Sequence, residues 1–465
     1  MERCGRPACR SWRLGPGMGT TGQDETSGLK GRSIFNHLIC GGTEMKLNRR
    51  ACLWLMGSAV LAATTTMPAF AADVTLSYAM WDQSQQPTFR KIADAFEKKN
   101  PGIKIDIQIT PFSKYWTKLQ TEAANDALPD VFWMNPFNFP LYASQGMLQP
   151  IDEKATASGF DVSAIPQPMR AIYSYDGKLY SLPNNRDALV VWYNRKLFKD
   201  AGVAEPKDGW SWTDFQTAAK SLTKADAGIW GTAVSLDFRG NVLNSVYQAG
   251  GTILSEDRKR AQWNTKEAAE GVQYWVDIIK AGSSPTLEQL ASTDANSMFL
   301  SGKVAMLQTG SWMGVTFADS KLAKDEDLAV ITLPKGPKNG ASSTSSLGNM
   351  ISATAKHPEE SYKFVEFLGS KEAADIYTRA GIALSAYPEF DKNFIDHFAK
   401  AFDAAPIARQ IADTFPMPVS LNSSVWLKAT STALTGIFTG KESVEDGLKK
   451  LQTVMQEALD AEASL

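Results

Sequence analysis

Cysteine is scarce in this chain, and its placement excludes a good deal of chemistry. The four cysteines, Cys4, Cys9, Cys40 and Cys52, all lie in the first 52 of 465 residues. The remaining chain has no disulfide, no thiolate nucleophile and no cysteine metal site. Histidine is nearly as rare: beyond residue 72 only His357 and His397 occur. His357 stands before Pro358 at a helix start, a surface setting, and His397 sits in "FIDHFAK", a structural or exposed one. No G-x-S-x-G elbow, P-loop or paired-histidine zinc motif is present. A glycosidase needs only two suitably spaced carboxylates, so a secreted carbohydrate-active enzyme stays open as an alternative. No catalytic residue, metal site or cofactor is assigned.

Long apolar runs are also missing. The one near-candidate, residues 51–63, follows the basic stretch Met45-Lys46-Leu47-Asn48-Arg49-Arg50 and is broken by residues 64–68. Ala69-Phe70-Ala71 then fits a small-residue cleavage site, so residues 45–72 read as a secretory signal peptide cleaved near Ala71/Ala72. The run is too short for a membrane span. Arg49-Arg50 permits a twin-arginine reading, although the residues after it fit the general export route better. Residues 1–44 carry no periodic pattern and read as an upstream non-structural extension. Cys52 lies at the start of the apolar run rather than after it, which argues against a lipid anchor and for a periplasmic product.

Net charge is small. The first 72 residues hold 9 of the 48 Lys/Arg and 4 of the 50 Asp/Glu, leaving 39 basic and 46 acidic residues, a net −7. Such a surface does not suit nucleic acid as a partner.

What is present is the pattern of a globular α/β protein, 43% hydrophobic and 10% aromatic, and long enough for two domains. Val74-Thr75-Leu76-Ser77-Tyr78 reads as a strand. Phe89, Ile92 and Phe96 follow at helical spacing until Asn100-Pro101-Gly102. Ile103, Ile105, Ile107 and Ile109 then alternate with polar residues. This β-α-β order predicts a parallel sheet with a crossover helix. A second helix is expected over 115–125 and a strand at Val131-Phe132-Trp133. Asn264-Thr265-Lys266-Glu267 has capping-box spacing with Asn at the N-cap, ahead of a helix ending at Gly282. Pro358 opens another helix, and Ser370 caps one that ends at Gly381. Polar segments at 182–187 and 333–346 look like passages between lobes, which would put a cleft beneath them.

Tryptophan is abundant, with 11 of 13 beyond residue 72. Trp81, Trp133, Trp312 and Trp426 stand beside turn signals. The stretch "DVFWMNPFNFPLYASQGML" runs from a strand into a loop of alternating aromatics and amides. An aromatic plane covers the C–H face of a sugar ring, while amides and carboxylates take its hydroxyls. Loops beyond the carboxyl ends of strands are where open α/β sheets bind ligands.

Taken together, "MWD", "PDVFWMN…YASQGML", "ALVVWYNRKLF…AG", "TGSWM" and "GNMISATAKHPEESYKFVEFLGSKEAA" resemble the extracellular solute-binding proteins of carbohydrate ABC importers, the maltose- and multiple-sugar-binding class. The resemblance spans nearly all of the chain beyond the leader. It implies a two-lobed periplasmic binding protein fold with a hinge and central cleft. It further implies a carbohydrate ligand, permease subunits as partners, and a monomer. The lobes would comprise 73–186 plus 336–384 and 187–335 plus 385–465. Carried over by position, Trp81 and Asp82 face the cleft, and Asn135, Phe137 and Asn138 form a loop wall. Asp187 occupies a sugar-binding acidic position, Trp312 stacks from the second lobe, Gly348 and Asn349 line a crossing, and Trp426 joins from the C-terminal region. Pro136-Phe137 departs from the small or charged residues of many relatives. Arg186 would be either a salt-bridge partner or a reader of an anionic ligand such as a sugar acid or sugar phosphate.

Overall fold

The computed structural model describes residues 73–462. The signal peptide and upstream extension expected from the sequence lie outside these residues.

The chain opens with β1 (Val74–Met80), α1 (Gln86–Lys99), β2 (Ile103–Ile109), α2 (Phe112–Ala124) and β3 (Val131–Met134). The apolar spacing in α1 buries Phe89, Ile92, Ala93 and Phe96. Gly102, at φ 93°, makes the turn back into β2 that a side chain would strain. Both β2 and β3 pair with β1 in parallel.

A second sheet follows, built from β4 (Leu189–Asn194), β5 (Trp230–Thr232), β6 (Val304–Gly310) and β7 (Leu328–Ile331) in the order β7-β4-β6-β5. The unbroken apolar run "LVVWYN" of β4 is buried on both faces. Its alternation sends Leu189, Val191 and Tyr193 into one core and Val190 and Trp192 into another. The helix Lys266–Lys280 packs on the first of these with Val272, Trp275 and Val276. Its N-cap is Thr265, whose hydroxyl accepts from Ala268 N, one residue later than expected. Asn264 is outside the helix, its N–H donating to Gln452 of the C-terminal helix.

The chain then returns as β8 (Gly348–Ile351), which pairs antiparallel with β3 and completes the sheet order β8-β3-β1-β2. As expected, Pro358 opens the helix Pro358–Leu368, and Ser370 caps Lys371–Arg379 through Ala373 N.

Core membership changes between Leu182 and Ala188, between Leu333 and Met350, and between Tyr387 and Phe394. The chain therefore passes between the two sheets three times. Two short ladders tie these passages together. Asn185–Arg186 pairs with Leu384–Ser385, and Ser342–Thr344 pairs with Thr414–Pro416.

Candidate functional site

Strand direction determines where a ligand can sit. In the first sheet β1, β2 and β3 run parallel, so their carboxyl ends share one edge. Gly348, the first residue of β8, pairs with Met134, the last of β3, so that edge faces the passages between sheets. In the second sheet Leu189 pairs with Gly310, which brings the start of β4 beside the end of β6. Asp187, just before β4, and Trp312, just after β6, are thereby neighbours on the edge facing the same passages. The cleft lies between these two edges.

On the first edge Trp81 is half-buried among aromatic rings, with centroids 4.9 Å from Trp133, 5.1 Å from Tyr115 and 5.6 Å from Phe112. Asp82 caps the next turn, accepting from Ser84 N at 2.9 Å and from Gln85 Nε2 at 2.8 Å. In the loop after β3, Asn135 Oδ1 accepts from Asn138 N at 3.0 Å and Asn138 Nδ2 at 2.9 Å. This brace projects Phe137 across the cleft, where its ring meets Trp426 of the second lobe edge-on at 6.0 Å.

The second edge holds the densest polar cluster. Asp187 is 8% exposed and accepts from Arg239 Nη2 at 2.6 Å, Arg239 Nη1 at 3.2 Å and Ser345 N at 2.7 Å. The bidentate geometry fixes the guanidinium plane, which stands 4.9 Å from the Trp312 ring. Trp312 lies flat on Gly310, where an added Cβ would come within 2.2 Å of three ring atoms. Arg239 starts a π-helical turn, Arg239–Leu243. Buried amides hold that turn. Asn244 Nδ2 donates to Arg239 O at 2.7 Å, and Gln308 Nε2 donates to Gly240 O at 2.6 Å. Asn244 Oδ1 accepts from Ser343 N at 2.7 Å, linking the turn to the passage. Four segments thus hold one carboxylate–guanidinium pair in place.

Sequence reasoning missed Arg239. A single arginine in "SLDFRGN" has no period or motif to distinguish it, and its importance comes from the π-turn and from partners more than 50 residues away.

Three expected site residues fall elsewhere. Asn349 is 2% exposed, and its Oδ1 accepts from Tyr78 OH at 2.7 Å, which in turn accepts from Trp133 Nε1 at 2.6 Å. Burial pushes the Tyr78 hydroxyl well above its ordinary pKa, so it stays a donor. Gly348 lies against the Tyr173 ring, behind the wall. Trp426 is fully buried, donates Nε1 to Ser420 Oγ at 3.0 Å, and is roofed by Phe137. The structure therefore brings together Asp187 and Trp312 on one edge and Trp81, Asp82, Asn135, Phe137 and Asn138 on the other.

Arg186 is engaged as a salt-bridge partner. Its Nε donates to Ser385 O at 2.6 Å and its Nη2 pairs with Asp391. Burial raises the Asp391 carboxyl, and Arg186 opposes that shift. Two surface depressions of about 390 and 450 Å³ lie on the second lobe. They are lined by the 204–210 loop, and by Trp212, Tyr274 and Lys335 to Pro337. Neither includes any expected site residue. Among the described residues no group of histidine and carboxylate side chains could hold a metal ion, and no helix is long and apolar enough to cross a membrane.

The profile of the bacterial extracellular solute-binding proteins matches residues 82–375. The chain belongs to that family. It is similar, at 24% identity over 393 residues, to a maltooligosaccharide ABC transporter solute-binding lipoprotein of Streptococcus pneumoniae, covering 81% of this chain and 87% of the relative. A binding protein of Brucella abortus is 24% identical over 403 residues, covering 85% and 95%. Among solved structures, an ABC substrate-binding protein of Listeria monocytogenes in complex with cycloalternan superposes with a TM-score of 0.78 at 25% identity, covering 83% of this chain and 99% of that one. The GacH receptor of Streptomyces glaucescens superposes at 0.75 with 22% identity, covering 84% and 99%, and shares the fold. The resemblance to solute-binding proteins of carbohydrate importers, and with it the two-lobed α/β fold, is borne out.

Proposed function

We propose that this solute-binding protein captures a neutral mono- or oligosaccharide between its lobes and delivers it, chemically unchanged, to ABC permease subunits. The Asp187–Arg239–Trp312 cluster facing the Phe137 edge carries the reading. An indole plane covers the C–H face of a pyranose, and a carboxylate and guanidinium beside it accept from and donate to its hydroxyls. The pair is already formed, so little ordering remains when the sugar arrives. The pneumococcal relative named for maltooligosaccharide and the Listeria complex with cycloalternan support the ligand class.

The cluster holds one carboxylate, Asp187, already paired with Arg239, where a glycosidase needs two, which supports binding without turnover. The anionic-ligand alternative has less support. Arg186 is matched by Asp391 and Arg239 by Asp187, which leaves the site near zero charge. The protein is read as a monomer, exported by the 45–72 leader into the periplasm, with no nucleic-acid partner.

Titrating purified protein with neutral sugars while following tryptophan fluorescence tests this. A saturable change with micromolar affinity, about −8 kcal/mol, is expected for at least one sugar. Silence toward every carbohydrate, or cleavage of an oligosaccharide during incubation, overturns it.

A further inference from the structure

Phe112 is 54% exposed, the most exposed of the large apolar side chains described. It is the first residue of α2, directly beyond the carboxyl end of β2. Its ring meets Trp81 edge-on at 5.6 Å and Trp116 at 6.3 Å, and Trp116, only partly buried, lies 5.7 Å from Trp81. The sheet order β8-β3-β1-β2 places the loops after β3, β1 and β2 side by side along the cleft edge. Phe137, Trp81 and Phe112 with Trp116 therefore form a row in that order. At about 4.8 Å between strands, the row extends roughly 10 Å beyond Phe137. Because β2 is the outer strand, nothing in the sheet closes that end of the cleft.

An exposed aromatic face beside partly buried rings offers the apolar contact that the C–H face of a sugar ring makes.

We infer that Phe112 and Trp116 form an outer subsite for the further rings of a linear neutral oligosaccharide whose inner ring rests against Trp312. The inference builds on the carbohydrate reading above and adds a ligand length to it. The occupant is the continuation of the same ligand, because the row is continuous with the cleft. Phe112 binds in this account; it does not position another group.

The test is calorimetric titration of the mature protein with paired two-ring and five-ring members of three linear series: α-1,4-glucose, β-1,4-glucose and β-1,4-xylose oligomers. In the series that binds, the five-ring member should bind about tenfold tighter than the two-ring member, the scale expected when an aromatic face is covered. Phe112→Ala and Trp116→Ala should abolish that increment while two-ring affinity stays put, and Phe112→Tyr should keep it. Phe112 is exposed, so Phe112→Ala should melt with wild type. The outer subsite is refuted if both lengths bind wild type equally, if Phe112→Ala weakens both lengths alike, or if it weakens neither. The last outcome would leave Phe112 as a protein-docking residue. Wild type that binds no member of any series overturns the linear-oligosaccharide inference, whereas the carbohydrate reading itself falls only on silence toward every sugar in the fluorescence titration, so the two failures are distinguishable.

Discussion

Replacing Asp187 by Asn removes one charge from the cluster and keeps its shape. The carboxylate accepts from both Arg239 terminal nitrogens and from Ser345 N, with side chains only 12% and 18% exposed. An amide oxygen retains two of these bonds, but the guanidinium loses its counter-charge in a poorly solvated place. Removing one partner of a fully buried pair costs about 3–5 kcal/mol. Partial exposure, together with the Trp312 ring over the guanidinium, reduces that to about 2–3 kcal/mol. For a lobe of this size the melting temperature should fall by roughly 5 °C. Sugar affinity should fall about a hundredfold, equivalent to about 2.7 kcal/mol. Arg239→Met alone leaves the carboxylate stranded and should cost a similar amount. The double variant Asp187→Asn/Arg239→Met strands no charge, so it should be more stable than the sum of the single changes requires. Scanning calorimetry of all four proteins measures this cycle. Strict additivity, or an Asp187→Asn protein with unchanged melting and unchanged affinity, would refute the claim that the pair is a coupled unit of the site.

Other outcomes follow from the same geometry. Gly310→Ala forces the Trp312 ring aside and should weaken sugar binding at least tenfold, with about 1–3 kcal/mol lost in stability; unchanged affinity in a titration would show that Trp312 does not stack. Asn349→Leu leaves the buried Tyr78 hydroxyl without its acceptor and should destabilise the first lobe by about 1–3 kcal/mol. Affinity per folded molecule should hold, and a selective binding loss would return Asn349 to the cleft. Trp426→Ala opens a large cavity in the second lobe and should cost about 3–5 kcal/mol in denaturant unfolding; a near-neutral change would contradict its burial.

The elements of this fold were legible wherever period alone determines burial. The alternation of Ile103, Ile105 and Ile107 marks β2 as a strand with one buried face, and the run "LVVWYN" marks a strand covered on both faces. The edges of the cleft were legible through the loops after β1, β3 and β6, where Trp81, Phe137 and Trp312 stand. Burial of a particular side chain was not. Trp426 in "LNSSVW" has polar neighbours much like those of Trp312 in "TGSW", yet a helix face takes it into the core. Asn349 resembles a site amide, but it sits in β8 with its side chain buried, where its acceptor is claimed by Tyr78. Arg239 acquires its role only when the π-turn, the start of β4 and the 342–346 segment converge, and no local pattern encodes that meeting. The third passage between sheets, near residue 384, entered only through the lobe boundaries that the resemblance implied, because Leu384-Ser385 is a two-residue strand with no recognisable signal of its own.

A crystal structure of the protein soaked with a sugar that it binds in solution tests the central claim most directly. The account predicts a ring lying flat against the Trp312 indole, its hydroxyls within hydrogen-bond distance of Asp187 or Arg239, and Phe137 closing over it from the other lobe. Density for the sugar in the outer depression at Trp212 and Tyr274, with the space between the lobes left as it is, would contradict it.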